Sequence, residues 1–376
     1  MDRIIIVGGG QAGASLAAKL RTEGHIGPIT LVCEEGVPPY QRPPLSKAYL
    51  KGEMEVERLF LRPESYYSEN GIELLLNTTA EAIDRKDKVL IAGGTPVPYD
   101  QLALVTGSVP RRLPGAIGGE LDGVHVVRTL KDIDEMSPDF TPGKNAVIVG
   151  GGYIGLEAAA VAAEKGLNVT LLEAADRILG RVACPETADY IRALHQGHGV
   201  DLRESTGLQF LVGARHVTGA RLADGTELPA DLVIVGIGIT PATALAEGAG
   251  LAIENGIAVD EMGRTSDPGI WAAGDCASFP WRGTRLRLES VQNAIDQAEA
   301  VARNMLGAGV PYDPHPWFWS DQYDVKLQIA GLGTGATHIA ARPGEREGAK
   351  SHWYYRDADL IAVDAMNDPR AYMVGK

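Results

Sequence analysis

Residues Arg3–Glu35 read RIIIVGGGQAGASLAAKLRTEGHIGPITLVCEE, and residues Asn145–Arg177 read NAVIVGGGYIGLEAAAVAAEKGLNVTLLEAADR. Each stretch opens on a short β-branched run, turns through glycines, continues as an alanine-rich helical segment and ends in a second β-type run. Two strand–helix–strand units in one chain predict an α/β protein with parallel sheets.

Gly8, Gly10 and Gly13 fit the spacing G-x-G-x-x-G between strand and helix, and Glu34 follows about 20 residues on. The first glycine permits the tight turn, the second lets a pyrophosphate approach the backbone, and the third lets helix pack on strand. The carboxylate accepts hydrogen bonds from ribose hydroxyls. Gly150, Gly152, Gly155 and Glu173 repeat the whole pattern. One such motif can be plain packing; two in register, each with its acidic partner, predict two dinucleotide sites. Two sites in one chain imply electron transfer between dinucleotides, the usual pair being a nicotinamide and a flavin.

At 376 residues the chain is long enough for roughly two to three domains. Its net charge of −14 argues against nucleic acid or an anionic membrane as the main partner. Cys33, Cys184 and Cys276 lie far apart, and no residues show metal-ligand spacing, so no metal is expected. The opening MDRIIIVGGG runs directly into a strand and glycines, which does not read as a signal peptide. Every long apolar stretch is interrupted by glycine or by Glu157. A reduced, cytoplasmic setting without a membrane span is the expectation.

Hairpin-like strands in KVLIAGGTPVPYDQLALVTGSVP follow the first unit, and VTGARLADGTELPADLVIVGIGITP has the same shape after the second. The repeat therefore covers whole domains. From Pro311 the sequence turns aromatic and proline-rich, then alternates as short strands, marking a third domain of mixed α/β type.

The motifs PPYQRPPLSKAYL, VTG, VRTLKD, GGGYIGLEAA, LPADLVIVGIG, AAGDCA, RLESVQNA and PWFWSDQY occur in this order between Ile4 and Asn367. In this set the chain resembles the flavoprotein NADH:ferredoxin reductases of bacterial cytochrome P450 and Rieske oxygenase systems, the putidaredoxin reductase and rubredoxin reductase group. The resemblance implies two Rossmann-like domains in a glutathione-reductase-like architecture. It assigns FAD to residues 1–110 and 242–309, NADH to 111–241, and a C-terminal domain to 310–376, which in the family continues further. It also implies that Gly8, Gly10, Ala12 and Gly13 cradle the FAD pyrophosphate, with Glu34 at the adenosine ribose and Ala80 near the adenine. Arg42, Lys47, Thr106, Gly107, Arg128, Gly274, Asp275, Val291 and Trp319 would complete the FAD site. NADH would meet Gly150, Gly152, Tyr153, Ile154, Gly155, Glu157, Glu173, Gly236 and Gly238.

A carboxylate at Glu173 favours a free 2′-hydroxyl over a 2′-phosphate, hence NADH over NADPH. Arg177 would blunt that preference if it folded inward. Disulfide-reducing relatives of this architecture carry cysteine early in the FAD domain, whereas PPYQRPPLSKAYLKG has none and carries Lys47. Cys33 and Cys276 read as packed strand residues. Without a thiol relay, electrons leave for an outside acceptor, a [2Fe–2S] ferredoxin or a rubredoxin that feeds a cytochrome P450 or a Rieske oxygenase. Two alternatives remain: an NADH oxidase or peroxidase, which the missing cysteine disfavours, and a redox-sensing binding protein like apoptosis-inducing factor, whose basic surface the charge does not supply.

Trp317, Phe318 and Trp319 are docking candidates or the aromatic core of the last domain. Arg282, Arg285 and Arg287 form the densest basic cluster, read as a solvated face or a docking patch. His195 and His198 are read as surface residues. Glu157 has a bland reading as a helix-end charge. In the resembling reductases this glutamate instead lies near the flavin and nicotinamide, beside the lysine matching Lys47. Glu157 and Lys47 are therefore expected to pair and to act as the catalytic residues.

Overall fold

A computed structural model describes residues 1–376 as two compact units. The first comprises residues 1–41, 56–109 and 240–316; the second comprises 42–55, 110–239 and 317–376.

In the first unit, strand β1 (Ile4–Val7), helix α1 (Gln11–Thr22) and strand β2 (Ile29–Val32) form the expected βαβ motif. β1 and β2 pair in parallel from Ile4 opposite Ile29 to Val7 opposite Val32. All eight of their residues are buried, as a parallel sheet covered on both faces requires. The five-stranded sheet runs in the order Ile270–Ala272, Gln101–Leu104, β1, β2, Ile72–Leu75, all parallel. α1 buries Leu16, Ala17 and Leu20 against the helix Val291–Met305, whose Ala298, Val301 and Ala302 face the same core.

The second unit repeats the plan. Strand β3 (Asn145–Val149), helix α2 (Tyr153–Glu164) and strand β4 (Asn168–Leu172) are joined in parallel register. Their sheet has the order Asp201–Arg203, β4, β3, Leu232–Val235, Val124–His125. The two sheets differ at one edge: in the first the edge strand Ile270–Ala272 comes from late in the chain, in the second Val124–His125 comes from before β3. Each unit also carries a three-stranded antiparallel meander, over Ala80–Pro98 and Leu208–Pro229, where the repeated hairpin pattern placed them.

The last segment forms a five-stranded antiparallel sheet entered by strand β5 (Trp317–Gln322) and followed by the helix Pro369–Gly375. Strand alternation puts Phe318, Ser320 and Gln322 on one face and Trp317, Trp319 and Asp321 on the other. The first face meets α2 and the helix Pro185–Gly197: Phe318 packs on Tyr153 with ring centroids 4.6 Å apart, and Gln322 bonds His195. No helix is long and apolar enough to cross a membrane.

Two surface readings are corrected. His195 is fully buried, because it lies one turn beyond Ile191 on the inner face of its helix; His198 is exposed and stacks on Tyr323 at 3.7 Å. Arg285 and Arg287 are not a solvated face. Arg285 donates to the carbonyls of Val259 and Ser278 and pairs with Glu254, while Arg287 donates to the Asp275 carbonyl and pairs with Glu289. Arg282 alone of the three lies outward, over the ring of Trp281.

Candidate dinucleotide sites and the Glu157 centre

The two glycine turns have the same geometry. Gly8 has φ +126°, and a Cβ there would meet the Val105 carbonyl oxygen at 2.2 Å; Gly150 has φ +109°, with the Gly236 oxygen at 2.4 Å. Only glycine tolerates both conditions. A Cβ on Gly13 would lie 2.0 Å from the Gly8 oxygen, and one on Gly155 2.1 Å from the Gly150 oxygen, so the third glycine is fixed by helix–strand contact. The middle glycines differ. A Cβ on Gly10 or Gly152 would find no atom within 4 Å. Both residues are N-caps without a side-chain cap, so the first backbone N–H groups of α1 and α2 face an open cradle that an added methyl would fill. This fits a pyrophosphate at each turn.

Around the first cradle, Glu34 is exposed two residues beyond β2, with its carboxylate available to ribose hydroxyls. Thr106 donates to the Ala242 carbonyl at 2.6 Å, and Gly107, at φ +70°, accepts from the Ala242 N–H at 2.9 Å. Gly274 has φ +79° and lies against Ala12, 3.2 Å from where its Cβ would be. Asp275 accepts from Ser108 Oγ at 2.9 Å. Ala80 opens the first meander, and Val291 begins its helix directly after the cap Ser290.

At the second cradle the acidic residue behaves differently. Glu173 turns back onto the loop and accepts from the Gly151 N–H at 2.7 Å and the Ala175 N–H at 2.8 Å. Arg177 donates to the carbonyls of Ala183 and Gly180, so its guanidinium is committed to its own loop. Ile154 and Ile237 are exposed, and Gly236 packs against Gly155. Arg181 was missed by the sequence reading; its guanidinium lies 3.5 Å from where a Cβ on Gly238 would stand.

Arg42, Lys47, Arg128 and Trp319 all belong to the second unit. Arg42 donates to the carbonyl of Arg128. Trp317 packs into the C-terminal core beside Tyr372, Phe318 joins the cluster around Tyr153, and Trp319 rests against Trp317 with centroids 5.6 Å apart.

Lys47 and Glu157 come together, with Lys47 Nζ 3.0 Å from Glu157 Oε1. Glu157 is only 3% exposed, and its buried charge is compensated by more than the lysine. Ser46 Oγ donates to Oε2 and Ser320 Oγ to Oε1, each at 2.6 Å. Neither serine was singled out from the sequence, although the polar Ser320 inside an aromatic strand was a usable signal. Asp321 stands 4.0 Å from Lys47 on its outer side.

Residues 2–298 match the pyridine nucleotide-disulphide oxidoreductase family and 317–376 the reductase C-terminal family. The chain belongs to the pyridine nucleotide-disulphide oxidoreductases. Within this family it is 43% identical to a ferredoxin–NAD(P)(+) reductase of Sphingomonas sp, covering 99% of this chain and 91% of the relative. It is 41% identical to putidaredoxin reductase of Pseudomonas putida, covering 98% and 89% respectively. A crystal structure of the covalent putidaredoxin reductase–putidaredoxin complex superposes with a TM-score of 0.96, at 41% identity, over 100% of this chain and 92% of that one. All three cysteines of this chain are free and buried, and burial pushes the Cys33 thiol up to about 12.

Proposed function

We propose that the chain is an NADH-dependent FAD reductase delivering electrons to a [2Fe–2S] ferredoxin or a rubredoxin, which feeds a cytochrome P450 or a Rieske oxygenase. What carries the reading is the pairing of two open glycine cradles with cysteines that are all free and buried. With no thiol to relay them, electrons leave to an outside acceptor. Bound FAD supplies a group that takes a hydride from NADH and releases two electrons singly.

In this reading residues 1–110 and 242–309 hold FAD, 111–241 hold NADH and 310–376 form the C-terminal domain. Gly8, Gly10, Ala12 and Gly13 give the first pyrophosphate backbone donors and room, and Glu34 takes the ribose. Ala80, Thr106, Gly107, Gly274, Asp275 and Val291 line the same cofactor, and Arg42, Lys47, Arg128 and Trp319 face it. Gly150, Gly152, Tyr153, Ile154, Gly155, Gly236 and Gly238 receive NADH. Glu173 selects the free 2′-hydroxyl, supported by the commitment of Arg177 to loop carbonyls rather than to a phosphate. Lys47 and Glu157 orient the nicotinamide. A cytoplasmic location belongs to the same proposal.

Steady-state cytochrome c reduction by NADH, with and without an added [2Fe–2S] ferredoxin, tests it. The expected result is turnover that depends on the ferredoxin. Rapid consumption of oxygen or peroxide with no ferredoxin stimulation would overturn it.

A further inference from the structure

Behind Glu157 lies a row of buried polar groups that the proposed function does not use. Tyr323 Oη lies 3.3 Å from His195 Nδ1, and His195 Nε2 lies 2.8 Å from Gln322 Oε1. Gln322 Nε2 donates to Ser320 Oγ at 3.1 Å, and Ser320 Oγ donates to Glu157 Oε1 at 2.6 Å. His195, Gln322, Ser320 and Glu157 are all buried.

The chemistry of each atom fixes the direction. An amide oxygen only accepts, so His195 carries its proton on Nε2 and its Nδ1 accepts from Tyr323. The amide nitrogen of Gln322 only donates, so Ser320 accepts there. A hydroxyl has one proton, and that of Ser320 is therefore left for Glu157. Donation runs one way, from Tyr323 through His195, Gln322 and Ser320, and ends on the carboxylate. Burial lowers His195 to about 4, which keeps the ring neutral, as single donation requires.

The groups facing Glu157 come from three elements. Lys47 and Ser46 approach from the 42–55 segment and Ser320 from β5, while Tyr153 lies on α2 itself. Lys47 is a flexible point charge, 19% exposed, with Asp321 as a second anion within 4.0 Å. It compensates the charge of Glu157 but cannot alone fix the plane of the carboxylate. Two hydroxyls on opposite oxygens can.

We propose that Ser320, backed by Gln322 and His195, is a positioning residue of the reductase, holding the Glu157 carboxylate in one orientation toward the nicotinamide. This rests on the NADH reading above. The test is a double-mutant cycle in the full-length flavoprotein, reading both the rate of flavin reduction by NADH and the affinity for NAD⁺ by titration calorimetry. Ser320→Ala is expected to lower the rate roughly 10-fold in the wild-type background and less than about 2-fold in Glu157→Gln, because Ser320 acts only through that carboxylate. NAD⁺ affinity should show the same non-additivity, and Ser320→Thr, which keeps the hydroxyl, should restore most of the rate. Should Ser320→Ala fail to fold, Gln322→Met, one link back, should give the same pattern at smaller amplitude. Equal losses in both backgrounds would overturn the relay while leaving the reductase reading intact. A wild-type protein that neither binds NAD⁺ nor is reduced by NADH would overturn both.

Discussion

Gly150 and Gly152 lie two residues apart in one turn, yet substitution by alanine should have opposite consequences. At Gly150 the backbone is left-handed and the new Cβ would lie 2.4 Å from the Gly236 oxygen. Gly150→Ala must distort the β3–α2 junction, with an expected cost of roughly 3 kcal/mol or more in folding. At Gly152 the backbone is extended, with φ −82° and ψ 177°, and the Cβ meets nothing within 4 Å. The entropic gain of about 0.4–1 kcal/mol from replacing glycine is offset by alanine's weakness as an N-cap, so stability should change by less than about 0.5 kcal/mol. The methyl would instead occupy the space a pyrophosphate needs. Losing one or two charge-assisted hydrogen bonds at about 1.5–3 kcal/mol each corresponds to roughly 10- to 100-fold weaker NADH binding or more. Stopped-flow flavin reduction against NADH concentration gives the affinity, and thermal melting supplies the control. Gly152→Ala with NADH affinity within twofold of wild type would refute the cradle and, with it, the assignment of the second site.

Glu173→Ala should lower kcat/KM for NADH about 10-fold while leaving NADPH nearly unchanged. The substitution removes both the ribose acceptor and two loop bonds, and steady-state kinetics with each nucleotide reads the ratio. Acid should destabilise the second unit. Burial lowers His195 and His352 from 6.5 to about 4, so each binds fewer protons folded than unfolded, and its contribution, about 3 kcal/mol, is lost as pH falls from 6.5 to 4. Buried Asp364, raised from 3.8 to about 6, works in the opposite direction by about 3 kcal/mol, leaving a net loss of roughly 3 kcal/mol. Thermal melting between pH 7 and pH 4 should show it, and His195→Gln should reduce the slope.

The two βαβ units were legible because their determinants are local. Glycines, β-branched runs and alanine-rich helices specify turn, strand and helix within about 30 residues, and the structure places each of them there. What surrounds Glu157 is not local. Its hydroxyl donors come from Ser46, 111 residues away, and Ser320, 163 residues away. His195 illustrates the same limit. Two histidines three apart suggested a polar surface, but the helix turns one onto the face already carrying Ala188 and Ile191, where Gln322 satisfies it. Arg285 and Arg287 could not be placed from charge density alone, since their partners are main-chain carbonyls that no sequence pattern marks.

The bland reading of Glu157 as a helix-end charge fails on energetic grounds. Glu157 begins the second turn of α2, beyond the stretch where the helix end is most positive, so the dipole offers it little. Burying its charge therefore requires partners, and breaking a buried ion pair typically costs about 3–5 kcal/mol. Those partners come from outside the βαβ motif: Ser46 and Lys47 from a short excursion of the first half of the chain, and Ser320 from the C-terminal strand. The segment 42–55 belongs to the second unit for the same reason, since Lys47 pairs with Glu157 and Lys51 with Glu164, two turns further along α2. The glycine motif alone can hold a dinucleotide. The charged centre beside it exists only where three distant pieces of the chain converge, which is why it belongs to the assembled second unit and not to the glycine motif alone.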